Sequence, residues 1–310
     1  MQQELISSIT LDKRDGEMIE YKRQKRKKGK TRFGMYSKAY VEIGNICNMN
    51  CSFCIGTSRA RRQMTFDEFS YILSQLSGVT KYIYYHIMGE PLLHPELFRF
   101  ISHAKERGFF SIVTTNGTSL DRLGQQLIDS GVYKVNISLH SFEGEDEQKQ
   151  EKYVRSCLNF ADTASKTGVL TVLRLWNDGC DGGKNDYTLA LAKEVFSAAE
   201  WKKEQRGTRI QDKLYLEFGE RFDWPDLSAD CLGESVFCYG LRDQFGILCD
   251  GTVVPCCLDH NGDIPLGNIF STPLSEILSS QRAKDIKDGF SSRVAKEELC
   301  RRCGYARRFK

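Results

Sequence analysis

Residues 39–54 read AYVEIGNICNMNCSFC. The first seven have the β-branched and aromatic content of a short strand. They run directly into three thiols, Cys47, Cys51 and Cys54, in the spacing C-x3-C-x2-C. Three thiolates on one tight loop can hold three corners of a cubic iron–sulfur cluster, whose irons take soft sulfur ligands. A closed, ferredoxin-type site needs a fourth cysteine close by, and the next in the chain is Cys157. One iron is therefore left open to an exchangeable ligand, which is what separates catalytic metal sites from closed structural ones. The competing readings are a zinc site and ordinary buried cysteines. Zinc calls for a fourth Cys or His nearby, and the first histidine is His86.

Beyond this loop, short β-rich runs alternate with helical ones to about residue 222. TFDEFSYILSQLSG (65–78) predicts a helix with a Thr65/Glu68 capping box and Gly78 at its end. KYIYYHI (81–87) predicts a strand, PELFRFISHAKERG (95–108) a helix with Pro95 in its first turn, and FSIVTTN (110–116) a strand. LDRLGQQLIDSG and VYKVNISL repeat the pair, followed by a helix over 151–167 and the strand VLTVLRLW (169–176). A helix through 187–204 and the strand KLYLEFG (213–219) complete six units. Strands spaced by helices imply a parallel sheet with right-handed crossovers, either an open doubly wound sheet or a part-closed barrel.

Composition narrows the setting. The 310 residues carry a net charge of +3, too little to argue for a nucleic-acid partner. There is no apolar run of about eighteen residues and no signal-like N-terminus, so neither a membrane span nor export is expected, and a cytoplasmic location is. Twelve cysteines in such a chain point to metal or redox use rather than disulfides. The basic run YKRQKRKKGKTR (21–32) could meet an acidic partner, but reads more simply as a solvated arm over residues 1–38.

The cysteine loop, with Phe53 just before its last thiol, resembles the signature loop of the radical S-adenosylmethionine (radical SAM) superfamily. The resemblance implies that the open iron is chelated by S-adenosylmethionine and that Phe53 lies beside its adenine. Met88-Gly89-Glu90-Pro91 resembles the family's Gly-Gly-Glu-Pro turn, which receives the cofactor's ammonium, with Met88 departing at the first glycine. Thr115-Asn116-Gly117 resembles a family strand end. Ser138 matches a serine that helps hold the ribose or carboxylate, and Arg174 an arginine near the methionine carboxylate. The family implies a partial (β/α)6 TIM-like barrel over 39–228, with its site at the C-terminal strand ends. WNDGCDGGKND (176–186) lacks the lysine–hydroxyl ending of a phosphate-binding loop. FGERFDWPD (218–226) could contact substrate or pack a junction. No catalytic acid or base is identified, and at most one of Tyr215 and Glu217 is expected to face the barrel interior.

Seven of the twelve cysteines fall after residue 230. FGILCDGTVVPCC (245–257) predicts a hairpin with a type I′ turn at Asp250-Gly251, and a helix is expected from Thr272-Pro273 to about Lys287. Two cysteine pairs of this kind could hold zinc. The set Cys238, Cys256, Cys300 and Cys303 resembles the auxiliary-cluster region of SPASM enzymes, in its shortened twitch form. That implies a small α+β domain over 229–310 with a second 4Fe-4S cluster. Cys231, Cys249 and Cys257 are competing ligands. Cys249, Cys257 and the upstream Cys157 are expected to pack, and Cys180 to sit in a loop.

The family resemblance implies reductive cleavage of S-adenosylmethionine to a 5′-deoxyadenosyl radical that abstracts hydrogen from substrate, with electrons from a donor such as ferredoxin or flavodoxin. A barrel followed by a single-cluster twitch region resembles dehydrogenases of cyclitol or sugar alcohols. The alternatives are a maturase acting on a peptide or protein, against which the short segment before the first strand counts, and a non-catalytic iron–sulfur electron carrier or redox sensor.

Overall fold

The computed structural model describes residues 36–142, 146–205 and 207–309; the basic run at 21–32 lies outside them. In chain order the first half contains β1 (Lys38–Val41), α1 (Phe66–Leu76), β2 (Tyr82–Tyr84), α2 (Leu97–Glu106), β3 (Phe110–Thr115), α3 (Leu120–Asp129), β4 (Lys134–Ser138), α4 (Glu147–Lys166), β5 (Leu170–Asp178) and α5 (Lys184–Val195). The second half contains β6 (Lys202–Glu204), β7 (Gly207–Gln211), β8 (Leu214–Glu220), β9 (Gln244–Ile247), β10 (Thr252–Val254), β11 (Gly267–Asn268), α6 (Leu274–Ser279), α7 (Gln281–Ser291) and α8 (Glu298–Arg301).

Strands β1, β2, β3, β4, β5 and β8 pair in that order and all in parallel, giving the expected six-stranded parallel sheet. Its helices bury one apolar face each. Phe69 of α1 stacks on Phe100 of α2 with ring centroids 4.4 Å apart, and both are fully buried. Truncating either would cost about 3–5 kcal/mol. The Thr65/Glu68 capping box is present in both directions and satisfies two backbone donors that the first turn leaves open.

Four expectations need correction. The helix expected through 187–204 stops at Val195, and Lys202–Glu204 and Gly207–Gln211 pair as the antiparallel ribbon β6–β7, which covers the free edge of β8. Pro95 stands before the cap of α2, Glu96, rather than in the first turn. The helix expected to end near Lys287 is two helices, because Ser280 is extended (ψ 157°) and caps α7 by accepting the Ala283 N–H. The β9–β10 turn is not type I′, which needs left-handed backbone at both central residues. Gly251 alone of the pair has it (φ 88°), and its N–H closes the turn on the Leu248 carbonyl.

The cysteine-rich tail joins the same sheet. β9 lies parallel to β1, with Ala39 beside Phe245 and Val41 beside Ile247, and β10 and β11 continue outward antiparallel. The full order is β11-β10-β9-β1-β2-β3-β4-β5-β8-β7-β6, so the sheet stays open, its outermost strands unpaired with each other.

Candidate active site: a cavity between two sets of thiols

The loop after β1 is pinched at its base by Asn45. Its side chain donates to the Ala60 carbonyl and accepts the Arg62 N–H, and its own N–H donates to the Arg62 carbonyl. Within the loop, Cys47 Sγ accepts the Met49 N–H at 3.4 Å, and the Cys54 N–H bonds the Cys51 carbonyl at 3.0 Å. The strand ends close around it. Asn116 Nδ2 donates to Asn48 Oδ1 at 2.9 Å and lies 3.9 Å from Cys47 Sγ. The Phe53 ring sits 5.0 Å from that of His140. From the far side, Trp224 Nε1 donates to the Phe53 carbonyl and Arg221 to the Ser52 carbonyl. The stretch 218–226 therefore clamps the loop.

The Met88–Pro91 turn lies under the loop's first residues. A Cβ on Gly89 would stand 2.4 Å from the Gly44 carbonyl, and its φ is +81°, so this position needs glycine twice over. The Glu90 N–H bonds the Ile46 carbonyl. Its carboxylate accepts the Leu92 N–H at 3.0 Å and the Asn116 N–H at 2.6 Å, tying the second and third strand ends together. Burial raises this carboxyl to about 6 despite those N–H groups.

One cavity of about 620 Å³ collects the candidates. On its wall are Cys47, Cys51, Cys54, Phe53, Gly89, Ser138 and Arg174, and also Cys238, Cys256, Cys300 and Cys303. Glu90, Pro91 and Asn116 lie behind the wall and shape it. Among the other thiols, Cys257 borders the wall and packs, as expected, against the cluster of Tyr40, Ile87, Leu248 and Val254, while Cys249 is buried and 3.7 Å from Arg59. Cys157 is in the core, and Cys180 and Cys231 are exposed. Burial pushes the tail thiols up, Cys303 to about 11, with their mutual repulsion adding to the rise. Loading iron there must displace their protons. Among the described residues no three His, Cys, Asp or Glu side chains gather for a single metal ion. A cubic cluster asks for something else, one thiolate on each of several irons.

Sequence reasoning missed several residues. Glu42, the residue after β1, is fully buried and accepts from both terminal guanidinium nitrogens of Arg59, at 2.6 and 2.8 Å. It also accepts the Met88 and Cys249 N–H groups. A lone charge in the apolar run YVEIG was the available signal. His86, Tyr40, Lys38 and Trp176 also line the cavity. Tyr215 and Glu217 are two residues apart and so share a face, contrary to expectation. That face is the one of Arg174, which is register-paired with Glu217 and 3.5 Å from its carboxylate.

Residues 41–178 match the model of the radical SAM superfamily, and residues 238–304 match SPASM, an iron–sulfur cluster-binding domain. The chain carries a radical SAM domain followed by a SPASM domain. The radical SAM domain implies a 4Fe-4S cluster and S-adenosylmethionine, and the SPASM region implies an auxiliary iron–sulfur cluster. The thiol sets and the Gly89 cradle fit both. The chain is 33% identical over 105 residues, 32% of its length, to the tungsten-containing aldehyde ferredoxin oxidoreductase cofactor-modifying protein of Pyrococcus furiosus. It is 27% identical over 115 residues, 36% of its length, to the PqqA peptide cyclase of Bradyrhizobium diazoefficiens. Each match spans 30% of the relative's length. The fold is similar to that of BtrN in complex with AdoMet and 2-DOIA, with a TM-score of 0.57 at 19% identity, over 88% of this chain and 94% of that one.

Proposed function

We propose that this radical SAM enzyme oxidises a small molecule, removing two hydrogens from a secondary alcohol of a cyclitol or sugar. The observation that carries this reading is the shared cavity, onto which both thiol sets open. When bound, the loop cluster and S-adenosylmethionine supply a hydrogen-abstracting radical, and the tail cluster an acceptor for the electron the substrate then loses. Cys47, Cys51 and Cys54 hold the first cluster, and Cys238, Cys256, Cys300 and Cys303 the second. Phe53 flanks the adenine, and Gly89 and Ser138 face the cofactor. Glu90, Pro91 and Asn116 position the turn from behind. Trp224 and Arg221 hold the loop closed and keep water from the reacting centre.

The cavity is within the ordinary size of ligand pockets, about 300–1,000 Å³, and must also admit S-adenosylmethionine. That favours a small substrate, or a single side chain of a larger one. Peptide maturation is the second reading, supported by the match to a peptide cyclase. Either reading requires a low-potential donor such as ferredoxin or flavodoxin, and the free thiols suit a reducing, cytoplasmic setting. No helix among the described residues is long and apolar enough to cross a membrane.

The deciding experiment incubates reconstituted enzyme, S-adenosylmethionine and dithionite with a panel of cyclitols, sugars and short peptides, and follows products by mass spectrometry. A small-molecule product two mass units lighter, formed with 5′-deoxyadenosine, is expected. Turnover confined to peptides would replace the first reading by the second.

A further inference from the structure

Among the described residues on the cavity wall, Lys38, Arg59, Arg61, Arg174 and Arg221 are basic, and Asp259 alone is acidic. Arg59 is held by Glu42, and Arg221 by the Ser52 carbonyl. Also on the wall, on β1, on β5 and two residues past β2, stand Lys38, Arg174 and His86. Lys38 Nζ lies 5.3 and 5.2 Å from the Tyr40 and Tyr84 rings. His86 meets the Tyr40 ring edge-on at 5.7 Å. The Arg174 guanidinium lies 4.5 Å over Trp176.

Two polar atoms here lack a hydrogen bond. His86 Nδ1 is covered and has no partner, and Arg174 Nε is buried and lies 3.5 Å from Glu217 without bonding it. His86 is half-buried by area, and it borders the cavity. Burial, with Arg174 and then Lys38 nearby, pushes its imidazole down to about 3. Glu217, beside Arg174, is not on the wall. A buried polar atom without a partner is costly, so an orphaned imidazole nitrogen beside two cations, in a cavity, marks a place for a ligand group. Arg presents a planar fork suited to carboxylate or phosphate, and Lys a point charge.

We infer that Lys38, His86 and Arg174 receive an oxyanion group of the substrate, a carboxylate or a phosphate. This rests on the reading of the cavity as the reaction chamber. It names the substrate as an acidic member of its class, such as a sugar acid or a phosphorylated cyclitol. It also assigns Arg174 to the substrate rather than to the methionine carboxylate.

The test titrates anaerobic holoenzyme, saturated with S-adenosylmethionine, with inorganic phosphate, glucuronate or neutral myo-inositol by calorimetry. At least one anion should bind about tenfold or more tightly than myo-inositol, and whether it is phosphate or glucuronate tells phosphate from carboxylate. Arg174→Met and His86→Phe should each weaken that binding by about tenfold or more, with iron content and S-adenosylmethionine affinity unchanged. Arg61→Met, which removes an exposed charge elsewhere on the wall, should leave it intact. Equal binding of myo-inositol and the anions, no anion binding at all, or a Arg174→Met variant that loses iron while binding anions normally would each overturn the inference. The readout is binding, so it separates the two readings. Anion binding here without substrate oxidation defeats the dehydrogenase proposal alone, and oxidation of neutral polyols in preference to acidic ones defeats this one alone.

Discussion

Glu42 is fully buried, and its two oxygens accept N–H groups from Arg59, Met88 and Cys249. One side chain thus joins the exit of the cysteine loop, the Met88–Pro91 turn and the β9–β10 hairpin. Glu42→Ala would strand a guanidinium whose side chain is 13% exposed, and should cost about 3–5 kcal/mol in denaturant unfolding. Glu42→Leu with Arg59→Met should recover much of that loss, since the penalty comes from the uncompensated charge. Glu90 makes a pH-dependent contribution. Its folded pKa, raised by burial to about 6 from 4.5, favours the protonated form. The resulting stability is fully present below the unfolded value and is lost as pH rises through about 6, a change of about 2 kcal/mol. Wild type should therefore lose about that much relative to Glu90→Gln between pH 4.5 and pH 7, measured by urea unfolding. A difference that does not vary with pH would contradict the assignment.

The β9–β10 hairpin makes the tail part of the barrel sheet. Beside it, the segment leaving the cysteine loop is stitched to the tail. Thr57 bonds the Asn261 side chain, Arg59 the His260 carbonyl, and Arg62 the Cys249 carbonyl. The hairpin lies this close because Gly246 has no side chain. A Cβ there would meet Ile87 Cδ1 at 2.7 Å and Val254 Cγ2 at 2.8 Å. Gly246→Val should push β9 off its neighbours and cost about 1–3 kcal/mol. It should lower the iron retained at the tail thiols more than at the loop, read by iron analysis after cysteine-specific reconstitution. An unchanged melting temperature with full iron would show that the hairpin tolerates the added volume.

The whole chain places two thiol sets on one cavity, and its chemistry is divisible. Reconstituted protein should bind about eight irons, and about four after Cys47, Cys51 and Cys54 are replaced by Ala, with cofactor cleavage abolished. Cys300→Ala/Cys303→Ala should keep the loop iron and still cleave S-adenosylmethionine slowly under dithionite, because the loop and its strand ends belong to the barrel. With substrate present it should fail to complete oxidation. Full product turnover by a well-folded variant, checked by circular dichroism, would make the tail cluster structural. Metal binding is coupled to folding, so that check is part of the measurement.

The alternation of strands and helices was legible because each period, two or 3.6 residues, is local. The cysteine loop was legible because ligand spacing on a tight loop is local too. The capping box at Thr65 belongs to the same class, whereas the turn at Gly89 was read from the family resemblance and its close packing only from the fold. The extent of α5, the split between α6 and α7, and the turn at Gly251 were misread where ribbon pairing, a serine cap and one left-handed residue outweighed propensity. What no local pattern carries is the pairing of β9 with β1, more than two hundred residues earlier in the chain. That contact helps bring Cys238, Cys256, Cys300 and Cys303 onto the same cavity as Cys47, Cys51 and Cys54. It also makes Glu42 a junction, by bringing the Cys249 N–H onto its carboxylate. These arrangements depend on which distant surfaces bury each other, and burial of apolar area is non-directional, so only the folded chain selects the partners.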